Sequence, residues 1–482
     1  MLPIQQRLSN GFYAMLALPS TAMGFALSVQ ISALSWILTT QYHLEIEEVG
    51  LVWASGPIAG ILGQVIVGAI SDNVWFWKGR RRPFILIGGV LAALMLLALP
   101  RIDVISEALP FAGIVGVAIA VALTLDLAIN VSFNPTRSII ADVTPSGQAR
   151  TKGYTWMQSI SGTFGVLAYG IGAIWDNYVL IYFGFFLVLL FSVVPTFFIE
   201  EPRELSTSED ATATGDEAGL LHMLREIRPL WGFLAYAVYG ISARLLGYNP
   251  DHYYAEFAAL ALTLLVMFDT LRRSEVGLPA ADRGRLGFQK VLAAHSFTWI
   301  GVQTMFIYMF AFVSERLPGL DDTSMGQVVS WSFLVLNAVS AILPALVLEP
   351  LTKSMGRVRV HIICIALMAL GYAGLRFVPT SPLALYVLMA VVGIGWAATV
   401  SLPFAIMSQQ ISGAKMGLYM GLFNLSVVLP QLVASLGVGR FISLAPDKSV
   451  TMLVCALCLL VSAVAWMFVS EDQEDDTAHK SI

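Results

Sequence analysis

Lys78-Gly79-Arg80-Arg81-Arg82-Pro83, preceded by Ser71-Asp72-Asn73, has a second version in the other half of the chain, Lys353-Ser354-Met355-Gly356-Arg357-Val358-Arg359. Each is a short basic loop built on a glycine, and each lies between two long apolar runs. Glycine permits a tight turn between helices, and the arginines hold the loop in water and can meet Asp72 or helix ends. Positive charge alone explains the arginines but not their return at equivalent places, so the chain reads as two related halves.

Outward from these loops the sequence is apolar almost throughout. Of its 482 residues, 57% are hydrophobic and 12% charged, and the mean hydropathy is +0.76, a balance that excludes a water-soluble globular protein. Roughly twenty apolar residues cross a bilayer as a helix. Such runs occur at 11–38, 49–71, 83–100, 109–132, 153–175 and 178–199, and again at 291–313, 327–352, 359–377, 381–408, 416–440 and 448–470. The fourth is expected to continue as a helix beyond the bilayer. These runs predict an all-α polytopic membrane protein of two pseudo-symmetric six-helix bundles, 1–204 and 291–470, with an acidic, solvated tail at 471–482. Between the bundles, 205–290 holds a Ser/Thr/acid-rich linker (205–218) and two further apolar runs, 229–247 and 253–271, joined by Gly247-Tyr248-Asn249-Pro250. These two read as an extra transmembrane hairpin, for fourteen spans in all.

The 27 Lys and Arg orient the bundle. Twenty fall in loops on one side, Arg101, Arg316, Arg376, Arg440 and Lys448 on the other, and Arg137 and Arg244 in helical segments. The positive-inside rule then puts both termini in the cytosol of a multi-pass protein of the cell membrane, with the first helix kept as a signal anchor. A net charge of −5 argues against nucleic-acid binding. Cys364, Cys455 and Cys458 lie in apolar runs, which argues packing rather than disulfides. The six histidines are scattered without ligand spacing, so neither a metal, a cofactor nor an enzyme's catalytic cluster is expected.

One span breaks the apolar pattern. Asp126, Asn130, Asn134 and Arg137 follow at i, i+4, i+8 and i+11, one narrow helical face. A carboxylate near mid-bilayer costs at least about 2.5–3.5 kcal/mol, so it should face a wet interior or a partner rather than lipid. Leaving water favours the protonated carboxyl, which suits Asp126 to loading and unloading a proton. Asp126 and Arg137 are about 16 Å apart along a straight helix, room for a sugar or water between them. The alternative reading of Asp126 is a structural pairing that holds the bundle, and that of Arg137 is anchoring at the interface. Gln30 and Ser32, Trp156 and Gln158, Gln303 and Tyr308, and Asn424 and Gln431 are further groups able to meet sugar hydroxyls or a ring face.

The paired Gly-Arg loops resemble the signature of the major facilitator superfamily. Ser71-Asp72, Gly79-Arg-Arg-Arg-Pro-Phe-Ile85, Leu125-Asp126-Leu-Ala-Ile-Asn130 and Pro135-Thr-Arg137-Ser-Ile-Ile-Ala141-Asp142 look like the first half of its sucrose transporter family. Ser401-Leu-Pro403-Phe-Ala-Ile406 and Gly417-Leu-Tyr-Met-Gly421-Leu-Phe-Asn424-Leu-Ser-Val-Val-Leu-Pro430-Gln431 are similar to that family's tenth and eleventh helices. The resemblance implies proton-coupled symport of a sugar, a disaccharide or glucoside, by alternating access. It assigns proton acceptance to Asp126 and substrate contact to Arg137. The partners expected are therefore a small sugar, protons and the lipid bilayer. Two other readings stand beside it. A proton-coupled exporter of apolar molecules would suit the phenylalanine- and methionine-rich run Phe306-Ile-Tyr-Met-Phe-Ala-Phe312, and a non-transporting sensor or assembly factor would suit the extra hairpin.

Overall fold

The computed structural model describes residues 7–61, 74–109, 113–145, 148–202, 220–248, 252–377, 381–410 and 416–471. Asp72, most of the acidic linker's neighbourhood (203–219) and the tail beyond Glu471 lie outside the described residues. Among those described, ten helices are long and apolar enough to cross a membrane.

The first half runs α1 (Asn10–Thr40), α2 (Ile46–Trp53, helical again over 55–61), α3 (Arg82–Ala98), α4 (Gly113–Val143), α5 (Gln148–Ile174) and α6 (Asn177–Phe197). After a short α7 (Leu220–Glu226) comes a hairpin of α8 (Trp231–Leu245) and α9 (Tyr254–Arg272). The second half runs α10 (Ala280–Arg316), α11 (Asp322–Leu343), α12 (Arg357–Phe377), α13 (Pro382–Gln409), α14 (Met416–Val433) and α15 (Val450–Trp466). Local chemistry starts several of these. Ser9, Asp176, Asp321 and Ser381 each accept a backbone N–H from the first turn of the helix that follows, satisfying donors a helix end leaves open. Small residues then let helices close on one another: a Cβ on Gly88 of α3 would collide with Ser132 and the Ala128 carbonyl of α4.

The hairpin leans on α10 and α14. Arg228 and Arg273 both hold Asp269 (2.7 and 2.8 Å), Lys290 of α10 pairs with Glu275 (2.8 Å), and Arg244 Nη2 donates to the Leu436 carbonyl (3.2 Å). That carbonyl belongs to a π-helical stretch, Ala434–Val438, which continues α14. With 19 residues α9 is long enough to span. At 15 residues α8 rises about 22 Å, short of a bilayer's ~30 Å of hydrocarbon.

The two halves are tied together at the end of the bundle where α1 terminates, here called the far end. Ser32 Oγ lies 2.8 Å from Ser330 Oγ, Ser35 Oγ donates to the Ile307 carbonyl (2.7 Å), and Trp36 Nε1 donates to the Asp322 carbonyl (2.8 Å). Gln327 and Ser443 add bonds to the Trp175 carbonyl and to Glu47. Gly50 of α2 packs so closely on the Ser435 carbonyl and the Tyr308 hydroxyl that no side chain would fit there.

Candidate functional site

α4 is continuous through Pro135 and carries Asp126 near its middle, 6% exposed. One carboxylate oxygen, Oδ2, accepts from Gln30 Nε2 of α1 (3.1 Å) and from Ser55 Oγ just beyond α2 (2.8 Å). Gly56, against the same carboxylate, offers only backbone. Three helices of the first half thus converge on one buried acid held by two neutral donors. Among the described residues it has no basic partner within ion-pair distance, so a proton can neutralise it without breaking a salt bridge. Gln30 Oε1 is buried with no hydrogen-bond partner, an acceptor a hydroxyl would satisfy.

The rest of the stripe grades from buried to exposed. Asn130 Nδ2 donates to the Asp126 carbonyl (2.8 Å), Asn134 is half-buried and Arg137 is exposed. The Arg137 guanidinium lies 4.6 Å over the Phe133 ring, and Tyr154 of α5 donates to its carbonyl (3.3 Å). Beside it α5 presents Thr155, Gln158, Ser159 and Thr163, all exposed. An open cavity of about 370 Å³ runs along this helix, with Trp156 on its wall. Polar exposure on a helix inside an apolar bundle marks a water-facing surface.

The structure divides the remaining candidates by location. Gln303 of α10 is buried and accepts from Gln431 Nε2 of α14 (3.1 Å), and Asn424 is half-buried on α14. Ser32 and Tyr308 belong instead to the far-end seal, where Tyr308 donates to the Ala434 and Ser435 carbonyls. Phe306, Phe310 and Phe312 are 6%, 4% and 1% exposed, so the aromatic run of α10 fills the core instead of lining an apolar binding chamber. Among the described residues no group of acids, histidines or cysteines has the arrangement of a metal site.

The two basic loops owe their form to residues the motif does not contain. The Glu201 carboxylate, just past α6, accepts the backbone N–H groups of Arg80, Arg81 and Arg82 at 2.7, 2.8 and 2.7 Å. In the second half, Glu471 beyond α15 accepts those of Arg357 and Val358 at 2.8 and 3.2 Å. Each acid thus sits at the positive N-terminus of a helix, α3 or α12. A Cβ on Gly79 would come within 2.7 Å of Glu201, and Gly356, at φ +84°, would meet Glu471. The glycines make room for a carboxylate as well as a turn. Arg81 reaches Asp142 at the end of α4 (3.2 Å). Arg150 donates to the Ala141 and Thr144 carbonyls.

The model of the Major Facilitator Superfamily matches residues 16–319 and 291–481. The sucrose transport protein SUT2 of Oryza sativa subsp. indica is 28% identical over 464 residues, 87% of this chain and 85% of its own. Sucrose transport protein SUC4 of Arabidopsis thaliana is 25% identical across 91% of this chain and 85% of its own. The general alpha-glucoside permease of Schizosaccharomyces pombe is 34% identical over a shorter stretch, 26% of this chain and 24% of its own. Among solved structures, the nucleoside transporter NupG superposes with TM-score 0.62 at 12% identity, covering 95% of this chain and 98% of its own. The inward-open xylose transporter XylE from E. coli does so with TM-score 0.61 at 14% identity, covering 96% and 97%.

Proposed function

Since the chain belongs to the major facilitator superfamily, we propose that it is a secondary active transporter carrying a sugar, a disaccharide or glucoside, together with protons, by alternating access. The observation that carries this reading is the Asp126 carboxyl, buried among Gln30, Ser55 and Gly56 on the same helical face as exposed Arg137. The relatives with sucrose and glucoside names support the substrate class.

In this mechanism Asp126 takes a proton, and Arg137, Asn134 and Gln158 bind sugar hydroxyls from α4 and α5. The second half contributes Gln303 and Asn424. Sealing at the far end and polar exposure along α5 describe one of the two states such a carrier visits, closed on one side and open on the other. By the distribution of Lys and Arg, the open side faces the cytosol of the cell membrane. The Asp126 proton and the sugar are released together from this cytosol-open state, and rocking of the two halves then breaks the far-end bonds and closes the surface of α5 so that the site reloads from the other side.

The substrate is tested by uptake of radiolabelled sucrose, maltose and hexoses into proteoliposomes with and without an inward proton gradient. Accumulation of one sugar driven by the gradient is the expected result. No sugar flux from a folded, reconstituted protein would contradict the assignment.

A further inference from the structure

The α8–α9 hairpin leaves two adjoining hollows on the flank of the molecule, where it meets α14. The first, about 440 Å³, is walled mainly by carbon, from Phe233, Phe257, Leu260, Val433 and Phe441 among others. The second, about 350 Å³, is mixed and more polar than the first, with Glu47, Tyr239 and Arg244 on its walls. Glu256 and Arg440 line both. A carboxylate and a guanidinium therefore stand where an apolar slot opens into a polar mouth.

The slot has the orientation of an amphiphile in a membrane. It follows α9 downward from Glu256 to Thr263, a rise of about 10 Å, within the ~15 Å hydrocarbon depth of one leaflet. Phe257, Leu260 and Phe441 along it are 66%, 50% and 57% exposed, an apolar surface suited to lipid beside a helix long enough to span. Tyr239 and Tyr248 line the second hollow and Tyr253 the first, as aromatic residues do at a membrane–water interface. Arg440 is oriented there by Tyr253, donating from Nε to the hydroxyl (2.8 Å) with its guanidinium 5.0 Å over the ring. Glu256 Oε2 is buried with no hydrogen-bond partner, and a buried acceptor of this kind calls for a donor.

We propose that this flank seats one membrane phospholipid with a primary-amine headgroup, its acyl chain in the slot, its ammonium on Glu256 and its phosphate on Arg440. A fatty acid would set a second carboxylate beside Glu256. A choline headgroup carries no N–H to donate.

The test uses the purified, delipidated full chain, titrated with phosphatidylethanolamine or phosphatidylcholine of identical acyl chains and read by native mass spectrometry. The ethanolamine lipid should be retained about tenfold more strongly, Glu256→Gln should bring the two to parity, and Leu260→Trp should reduce retention of both. Equal retention of the two lipids by the unmodified protein would overturn the proposal without recourse to any variant. So would a preference that survives Glu256→Gln, or retention untouched by Leu260→Trp.

Discussion

Asp126 is held by two donors, and each can be removed singly. A hydrogen bond to a charged group contributes about 1.5–3 kcal/mol, so Ser55→Ala and Gln30→Leu should each lower uptake at limiting sugar about tenfold or more while leaving the protein expressed and folded. Undiminished uptake in both variants would remove these donors from the account. The helical spacing from Asp126 to Arg137 was legible because a period of 3.6 puts four polar residues on one face. Gln30 was legible as a candidate too. Its pairing with Asp126 was not, because the two are separated by 96 positions and only the packing of α1 on α4 brings them together. Ser55 carried no signal at all: a lone serine in a membrane helix is most often a packing residue. Tyr308 was legible as a candidate, but its partners were not. A tyrosine in a span reads as a ring for a sugar, yet its hydroxyl serves carbonyls released by the π-helical turn of α14, which no periodicity announces.

At the scale of elements, the paired acids at the starts of α3 and α12 are the repeated feature. Glu201→Ala and Glu471→Ala each remove a carboxylate from backbone N–H groups at a helix N-terminus, and each should destabilise the protein by about 1–3 kcal/mol, measured by thermal unfolding in detergent. Gly356→Ala should cost a similar amount, since its φ of +84° strains any side chain and the Cβ displaces Glu471. If none of the three lowers the unfolding temperature, the caps are incidental. The glycine and arginine positions were readable in the sequence, whereas the acids were not, because Glu201 and Glu471 lie over 110 positions from the loops they hold and bind main chain, which leaves no side-chain motif. At the far end, Asp447 bonds Ser449 and faces Arg376 at 3.1 Å, which keeps its carboxyl below the usual range. A depressed carboxyl contributes its stabilisation above the unfolded value of about 3.9 and loses it only as the pH falls through the lower folded value. This contact is thus intact throughout the neutral range, and Asp447→Asn should leave the pH profile of uptake between about 5 and 8 unchanged in shape.

The whole molecule is a carrier caught with its halves joined at one end. The composition foretold the membrane and the doubled loops foretold the two halves, but the state of the cycle is a property of contacts between halves and has no trace in either half alone. Because Cys364 and Cys455 are buried and Cys458 half-buried, a cysteine placed at exposed Gln158 should dominate labelling by a membrane-impermeant maleimide. Labelling is expected from the cytosolic face only, and bound sugar should slow it; labelling from the opposite face alone would reverse the proposed orientation. The claim on which the rest depends is that Asp126 couples proton movement to sugar movement. It is tested most directly by Asp126→Asn in proteoliposomes, measuring both accumulation under an inward proton gradient and exchange of labelled for unlabelled sugar at equal concentration. Accumulation should be abolished while exchange persists, since a permanently neutral residue still lets the loaded carrier cycle. Accumulation retained at the unmodified level would contradict that coupling.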